Sequence, residues 1–547
     1  MAEKQKKGKH PGGVMIKDGF SEACAPIISG VITVFLLFLT LVFPLIYHHS
    51  YVDILETKYY TYCVIVIGML AVTLVLALVM LFVDCKEYGG EHARELFSRL
   101  APANWRKTFS AADGAVLIFW LISLISTLQS EYVFESFWGN EGRYTGLFLT
   151  TWYVAFYFVV SRFWKGKGWI IELFLASGMI MCVIGITDYF QLDILDFRGV
   201  IKPEQSTIFT STVGNINTYT AYVAMVMGVS AAMFATVKGR WRALWYYGCM
   251  TVSFFAIIMG CSDNAYLAIG GMFIFLPFVL FKTRKGILRY VIMAATFAGV
   301  IQCIDWLNQA FPDMVIGLDS LFKVLVDLPF LLGIVAVLAL LAAGMYWILY
   351  RSQDGGAKKE EDLGRWPVRI WSGLMIACAL VLCFMLYDAN VAGNGARYGA
   401  LSNYLVFGDH WGTNRGYIWR KSVELYRDFP ILHKLFGYGP DTFGIITHFE
   451  AFADMVNVTG QVFDTAHNEY IQFLMTIGPI GTLAYLVFQI GTIREMVVKR
   501  MKNPYLLACA AGALCYGCQA LVNLNLPIAT PMMWFLVSVG IGLGRRE

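Results

Sequence analysis

A succession of about fourteen apolar segments limits what this chain can fold into, because a bilayer span needs roughly 20 apolar residues. Composition agrees: 58% of the 547 residues are hydrophobic, 15% are charged, and the mean hydropathy is +0.60. Because backbone groups in lipid must be bonded within their own segment, we predict an all-α polytopic transmembrane bundle of 12 to 14 spans. The weakest segments are the short 114–129 and 290–304. The full set is 26–46, 62–83, 114–129, 145–161, 169–188, 216–236, 245–261, 264–281, 290–304, 328–350, 370–387, 467–490, 504–522 and 529–544.

Basic residues occupy every second loop of this series. Short cytoplasmic loops collect Lys and Arg, so the pattern predicts cytoplasmic N- and C-termini. Lys4 to Lys9 is then an orientation signal, not a nucleic-acid-binding arm. The other basic pieces are Arg162 to Lys167, Lys238 to Arg242, Lys282 to Arg289, Arg351 to Arg369, Arg494 to Lys502, and Arg545-Arg546.

The same pattern divides the chain into four regions. They are 1–110, with two spans and a basic loop; the membrane core 111–388; a polar segment 389–466, predicted to be extracytoplasmic; and the C-terminal spans 467–547. Segment 389–466 contains none of the twelve Cys residues, so we expect no disulfide framework there. Cys515 and Cys518 lie in an apolar helical context and are predicted to be buried packing residues.

Polar sequence concentrates on one predicted side of the membrane. Ionisable residues such as Asp84, Glu172 and Asp388 lie at span ends, which argues against a transporter with charges along its path. The distinctive polar clusters are Gly139 to Gly146, Gly214 to Tyr219, Cys261 to Tyr266, and segment 389–466 itself. All four are predicted to be extracytoplasmic.

Within the long segment, Asn414 to Asp428 has the pattern of an amphipathic helix that ends before Pro430. Asn414 is the predicted N-cap, which places Arg415 in the first turn. Free N–H groups and a guanidinium fork together suit a diphosphate. The alternative is a solvated surface arginine. Arg420 and Arg427 are predicted to be surface charges.

Two further features follow Arg415. Gly437 to Asp441 is a turn by composition, predicted to fold the segment back towards the membrane. His467 is predicted to lie in the first turn of the next span, on one face with Tyr470, Ile471 and Leu474. A histidine at this boundary is either a general base, since its ordinary pKa is about 6.5, or an interfacial residue that caps the helix.

These residues resemble the O-antigen ligase and polymerase superfamily of bacterial membrane glycosyltransferases. The resemblance covers about residues 139 to 490. It is carried by Arg415 to Trp419, Gly437 to Phe443, His467 to Tyr470, Gly478 to Gly481, Gly142 to Gly146, and Gly214 to Asn217. Each motif alone is weak, whereas their order and common side are fairly specific.

The resemblance implies transfer of a glycan from an undecaprenyl-diphosphate carrier to an acceptor hydroxyl at the outer face of the bacterial cytoplasmic membrane. Arg415 would hold the leaving diphosphate and His467 would activate the acceptor for inverting attack, with Asn468 or Glu469 orienting His467. No Asp-x-Asp pair occurs on the predicted outer side, so we expect a metal-independent reaction without a cofactor. The other expected substrate-binding residues are Arg143, Asn215, Asn217, Asp263, Asn264, Arg397, Trp419, Asn468 and Glu469.

Two departures from the family pattern are evident. Many members place an Arg after the Ser that corresponds to Ser262, whereas this chain has Asp263 and Asn264, so Arg143 or Arg397 would have to supply the charge. About fourteen spans also exceed the usual dozen. The extra pair would be the first two, which makes residues 1–110 an accessory region.

The acceptor is left open by the motifs. We favour a polymerase of surface polysaccharide repeat units, because nothing like a protein-acceptor domain is appended. An O-antigen-type ligase or a protein O-oligosaccharyltransferase has the same motif set, and a non-catalytic flippase of lipid-linked glycans is the alternative of another class. The expected partners are the lipid-linked donor, a glycan or lipid acceptor, the bilayer and other polysaccharide-assembly proteins.

Overall fold

A computed structural model describes residues 12–318, 320–351, 362–501 and 503–546. The predicted orientation signal at Lys4 to Lys9 lies outside the described residues, as does the interior of the loop from Arg351 to Arg369. The described chain is almost entirely helical, which confirms the all-α prediction. Its two named strands, β1 (Phe209–Thr210) and β2 (Gly214–Asn215), form a short antiparallel pair.

All fourteen predicted spans coincide with helices. Eleven of these helices are long and apolar enough to cross a membrane, and α4, α8 and α14 are shorter apolar helices. The helices are α1 (Gly12–Leu37, continued by a π-helical turn, Phe38–Val42), α2 (Ile54–Glu87), α3 (Ala111–Gln129), α4 (Leu147–Phe163), α5 (Trp169–Tyr189), α6 (Ile216–Thr236), α7 (Arg240–Met259), α8 (Asn264–Leu280), α9 (Arg284–Ala310), α10 (Leu331–Arg351), α11 (Trp366–Asn390), α12 (Glu469–Lys499), α13 (Pro504–Gln519) and α14 (Thr530–Gly544).

The two segments that were the weakest predictions form full-length helices. α3 starts at Ala111 because Ser110 and Asp113 form a reciprocal capping box, and α9 extends over 27 residues from a Thr283 cap. Hydropathy predicts both segments too short because it detects only the apolar part of a helix. Caps and polar end turns determine the rest.

Short helices connect the long ones. Before segment 389–466 they are Glu91–Leu100, Pro102–Asn104, Trp105–Thr108, Val133–Trp138, Arg198–Val200, Pro203–Ile208 and Ser320–Val326. Within the segment they are Gly395–Leu401, Ser402–Leu405, Trp411–Asp428, Ile431–Phe436 and Phe443–Thr459, and Ala520–Val522 follows α13. The segment has its own small apolar core, which includes Tyr417, Phe443 and Met455.

The centre of the bundle is α6, which is enclosed by its neighbours, whereas the apolar residues of α11 face outwards. α6 and α13 approach closely at Gly228, where an added Cβ would lie 2.7 Å from the Ala511 carbonyl oxygen and 2.9 Å from the Cys515 sulfur. Small residues permit such contacts between helices. Cys515 is buried here as predicted, Cys518 is partly exposed, and no disulfide joins the cysteines among the described residues.

Two of the predicted cytoplasmic pieces, those that contain Arg162 and Arg545, meet at one end of the bundle. At this end Asp113 is fully buried and bonds to Arg545 at 2.6 and 2.8 Å and to Arg162 at 3.1 Å. The Gly139 to Gly146 loop and segment 389–466 bond to each other at the opposite end. The alternation predicted from basic residues therefore agrees with the fold, while its direction across the membrane stays a prediction.

The Gly437 to Asp441 turn docks on α12. Tyr438 and Gly439 donate their N–H groups to the carbonyls of Met475 and Thr476, at 3.2 and 2.8 Å. α12 is broken just beyond, at Gly478, where φ is +70° and an added Cβ would lie 2.2 Å from the Leu435 carbonyl oxygen. Only glycine fits this conformation and this contact. The turn thus attaches segment 389–466 to a membrane helix.

Candidate active site

Arg415 lies just after a left-handed kink in the helix Trp411–Asp428. Gly412, Thr413 and Asn414 have φ values of 59°, 59° and 68°. The prediction that Asn414 caps the helix is wrong, because this conformation turns its side chain to His410, whose Nδ1 lies 2.9 Å from Asn414 Oδ1. The Asp409 carbonyl accepts the N–H of Tyr417 instead.

The Arg415 guanidinium is buried yet incompletely bonded. The residue is 8% exposed, and Nη1 donates to the Gly412 carbonyl at 3.2 Å. Nε is buried with no hydrogen-bond partner among the described residues. Burial lowers the pKa of Arg415, and the nearby Asp263 carboxylate opposes that shift. A buried donor without a partner is costly, so Arg415 Nε needs a partner that the described residues do not supply.

Arg415 faces the larger of the two cavities at the site, with a volume of about 1360 Å³. Its polar wall includes Asp263, Trp419 and Asn468. Its apolar wall comes from α8 and α11, with Leu267 and Leu382 among the lining residues. This cavity, called the Arg415 cavity below, therefore joins polar groups of segment 389–466 to an apolar surface of the membrane helices.

His467 precedes α12 rather than lying in its first turn, so the predicted helical face with Tyr470, Ile471 and Leu474 is wrong. Its φ is +46°. Asn468 is the N-cap and accepts from the N–H groups of Tyr470 and Ile471, at 3.0 and 3.1 Å. An Asn side chain is a strong N-cap, and it fixes the helix start at Glu469.

Neighbouring contacts hold the backbone before His467. Trp419 Nε1 donates to the Ala466 carbonyl at 3.0 Å, and the Ala466 N–H donates to Gln472 Oε1 at 2.9 Å. Trp419 thereby links the Arg415 helix to the His467 loop. Trp419 therefore positions the backbone before His467, a role that its place in the motif does not predict.

The His467 imidazole makes no hydrogen bond within the described chain, and its ring edge contacts Phe463. Burial, followed by the charges of Arg415 and Arg143, lowers the pKa of His467 to about 4. It is therefore neutral at pH 7. Neither predicted orienting residue bonds to it in the part of the chain that the structure describes, because Asn468 caps α12 and Glu469 accepts from Tyr485, Tyr516 and Asn525.

A small cavity of about 30 Å³ adjoins His467, with Asn468 shared between it and the Arg415 cavity. Arg143 lines it and forms a bidentate pair with Asp464, at 2.9 and 2.7 Å. Asp441 lines it too. The volume suits about one water molecule.

Asp441 is a site residue that the sequence presented only as part of a turn. Its carboxylate accepts the backbone N–H groups of Asn140 and Thr145, at 2.8 and 3.1 Å. Burial raises the pKa of Asp441 to about 6, and these hydrogen bonds oppose the shift. The carboxylate joins two motifs that are distant in sequence, and no local pattern signals that contact.

Several predicted site residues lie outside both cavities. Asn215 caps α6 by accepting from the Asn217 N–H, and Asn264, fully buried, donates to the Asn217 carbonyl at 2.8 Å and to Gln519. These residues link α6, α8 and α13. Arg397 is 71% exposed and lies 3.9 Å from Asp388.

Fold and site together define a multi-pass helical membrane protein with a polar site at one end of its bundle. Residues 328–486 match the family described as O-antigen ligase, and this stretch contains Arg415, the Gly437 to Asp441 turn and His467. The match covers about 29% of the chain, agrees there with the resemblance to the O-antigen ligase and polymerase superfamily, and suggests a membrane glycosyltransferase of the ligase or polymerase type. No curated protein and no solved structure matches the chain.

Proposed function

We propose that this protein polymerises surface polysaccharide repeat units on the outer face of a bacterial cytoplasmic membrane. The donor is a glycan on undecaprenyl diphosphate, and the acceptor is a hydroxyl of a second glycan. Both chain termini are cytoplasmic in this proposal, so segment 389–466 faces outwards. The reaction inverts the anomeric centre and needs neither metal nor cofactor.

The observation that carries this proposal is the pairing of Arg415 with His467. Arg415 is a buried cation that faces a large cavity, and His467 is a neutral imidazole. Within the described residues, Arg415 Nε has no partner and the imidazole has no hydrogen bond. Arg415 is close enough to His467 for its positive charge to lower the pKa of the imidazole. A cation for a leaving group beside a neutral base is the combination that glycan transfer from a diphosphate requires.

The proposed reaction is a displacement at the anomeric carbon of the donor glycan. The acceptor oxygen forms a bond to the anomeric carbon, the bond from that carbon to the diphosphate oxygen breaks, and the hydroxyl proton passes to His467. Arg415 stabilises the negative charge that develops on the departing diphosphate. The bound diphosphate also offsets the positive field on His467, which raises its pKa and makes it a stronger base.

Asp263 and Arg143 modify the charge balance of the site. Asp263 lies near Arg415 where many family members carry a second Arg. Arg143 lines the His467 cavity, whereas Arg397 is solvent-exposed and near Asp388. We therefore propose that Arg143, not Arg397, compensates for the missing charge. Asn468, Glu469 and Trp419 complete the site through the α12 cap and the loop before it.

Separate Arg415→Gln and His467→Ala variants test the proposal in a strain that depends on this protein for polymer. Both should abolish surface polymer and leave single carrier-linked repeat units. Long carrier-bound chains would instead indicate a ligase, and loss of a glycosylated protein would indicate an O-oligosaccharyltransferase.

Matched controls are Arg427→Gln, an exposed arginine of the same helix, and His49→Ala, an exposed histidine of another loop. Both should retain polymer. Unchanged polymer with Arg415→Gln and with His467→Ala would contradict an enzymatic role and favour a flippase.

A further inference from the structure

We infer that α2 and the Gly139 to Gly146 loop form a second lipid-binding groove, which holds the polyprenyl chain of a lipid-linked acceptor. This inference rests on the proposed function and specifies its acceptor class. The groove and the Arg415 cavity have no lining residue in common. Two lipid-linked substrates would thus reach His467 along different helices.

The groove has a volume of about 640 Å³, within the usual range for ligand sites of about 300–1,000 Å³. One wall is a face of α2 with Tyr59, Cys63 and Ile67 at helical spacing, and the other includes Tyr144 and Phe148. From Tyr59 to Ile67 the wall is about 12 Å long at 1.5 Å per residue. That length is close to one leaflet of a hydrocarbon core of about 30 Å.

The groove opens to the bilayer. Val64, on the α2 wall, is 71% exposed, and Trp138 on the other wall is also exposed. α2 is a candidate membrane span in its own right. Binding a water-soluble ligand to an apolar surface that faces lipid removes no apolar area from water. A hydrocarbon chain is therefore the ligand that fits this groove.

One loop joins the groove to the reaction site. The rings of Tyr59 and Tyr144 stack with centroids 4.6 Å apart. The residues on either side of Tyr144 belong to the His467 cavity, because both Arg143 and Thr145 line it. A lipid with its chain in the groove therefore has its head group beside His467.

A polar groove on the same loop indicates that the head group is a glycan. Asn140, Glu141 and Arg143 line it with Asp441 and Asp464, and its volume is about 350 Å³. Carboxylates, amides and a guanidinium are the groups that bond sugar hydroxyls. A molecule with an apolar chain and a glycan head fills both grooves, whereas a phospholipid fills only the first. The N-terminal region then contributes to acceptor binding and is more than accessory.

A Val64→Trp variant tests the inference, with Val75→Trp as its matched control. Both residues are exposed on α2, at 71% and 59%, but Val75 does not line the groove. The assay uses purified full-length protein in lipid nanodiscs and two half-substrates. One is a carrier-linked repeat capped at its acceptor hydroxyl, which acts only as donor. The other has a non-transferable phosphonate linkage and acts only as acceptor.

Val64→Trp should raise the KM for the acceptor about four- to fifteenfold, the effect of excluding one or two methylenes from burial. The KM for the donor and all constants of Val75→Trp should stay at wild-type values. Equal acceptor KM values for the two variants, or a rise in donor KM alone, would overturn the inference.

Photolabelling separates failure of this inference from failure of the proposed function. An acceptor analogue with a diazirine in its polyprenyl chain should label residues 54–67 in the wild type and not in Val64→Trp. Labelling without any glycan transfer would contradict the polymerase and leave the groove supported. If excess phospholipid abolished the labelling as effectively as excess acceptor did, the assignment of the ligand as a glycan lipid would be overturned.

Discussion

Arg415→Gln should separate catalysis from stability. The wild-type guanidinium is buried, its Nη1 bonds one carbonyl, and its Nε has no partner in the described chain. The shorter, neutral amide of Gln removes the unpartnered Nε, and a buried unsatisfied group costs about 1–3 kcal/mol. We therefore expect the free energy of unfolding to be unchanged or raised by that amount.

Activity should change in the opposite direction. Loss of a preorganised donor for a developing anion costs about 10²–10³ in kcat, or about 2.7–4 kcal/mol of barrier. The variant should also shift the pH profile, because Arg415 helps to lower the pKa of His467 to about 4. Without that charge the pKa rises, and the acid limb of kcat/KM moves to higher pH.

The assays are thermal unfolding in nanodiscs and glycan transfer between pH 4 and 8, with Arg420→Gln as the control. Arg420 is on the same helix, but it is half-exposed and paired with Asp409 and Glu424. The control should keep its activity and pH profile. If Arg415→Gln lost activity and stability together, with no shift in the acid limb, Arg415 would be a structural residue and the reasoning would be refuted.

Four other sites give predictions of their own. For the wild type, kcat/KM should fall to half near pH 4, not 6.5, because His467 is neutral above that pH; a limb near 6.5 would exclude the buried imidazole as the free-enzyme base. The pKa of Asp441 is about 6 when folded against 3.8 when unfolded, so its ionisation costs stability as pH rises from 4 to 6. Asp441→Asn should therefore gain about 2–3 kcal/mol over wild type between pH 4 and 7, measured by unfolding at each pH. Asp113→Asn should lower stability by about 3 kcal/mol by breaking the buried pair with Arg545, with acceptor KM unchanged. Gly478→Ala should reduce the yield of folded protein on size-exclusion chromatography, since its Cβ meets the Leu435 carbonyl, and a normal yield would show that α12 can straighten.

The sequence was sufficient for features that depend on local averages. All fourteen predicted segments coincide with helices, eleven of them long enough to span a membrane, because hydropathy is summed over many residues. The basic residues Arg162 and Arg545 meet at one end of the bundle, as the loop pattern predicts. The motifs also located Arg415 and His467, which the structure places on adjoining cavities.

Features that depend on single backbone angles or distant contacts were not predictable. The sequence pattern predicts that Asn414 is an N-cap. Its φ of 68° instead belongs to a three-residue left-handed kink, which residue propensities do not predict. His467 looked helical because Asn468 was not recognised as the stronger cap. The sequence presents Asp441 only as a turn residue. The two backbone N–H groups that bond to its carboxylate, those of Asn140 and Thr145, come from a loop about 300 residues earlier.

The same long-range contacts determine when the site can form during synthesis of the chain. The bonds Asn140–Asp441, Arg143–Asp464 and Ser126–Thr476 join residues separated by 301, 321 and 350 positions. A ribosome delivers the first partner of each pair long before the second, and Asn525, which lines the His467 cavity, arrives later still. The candidate site is therefore incomplete for most of synthesis, and it can close only after most of the helices have been made.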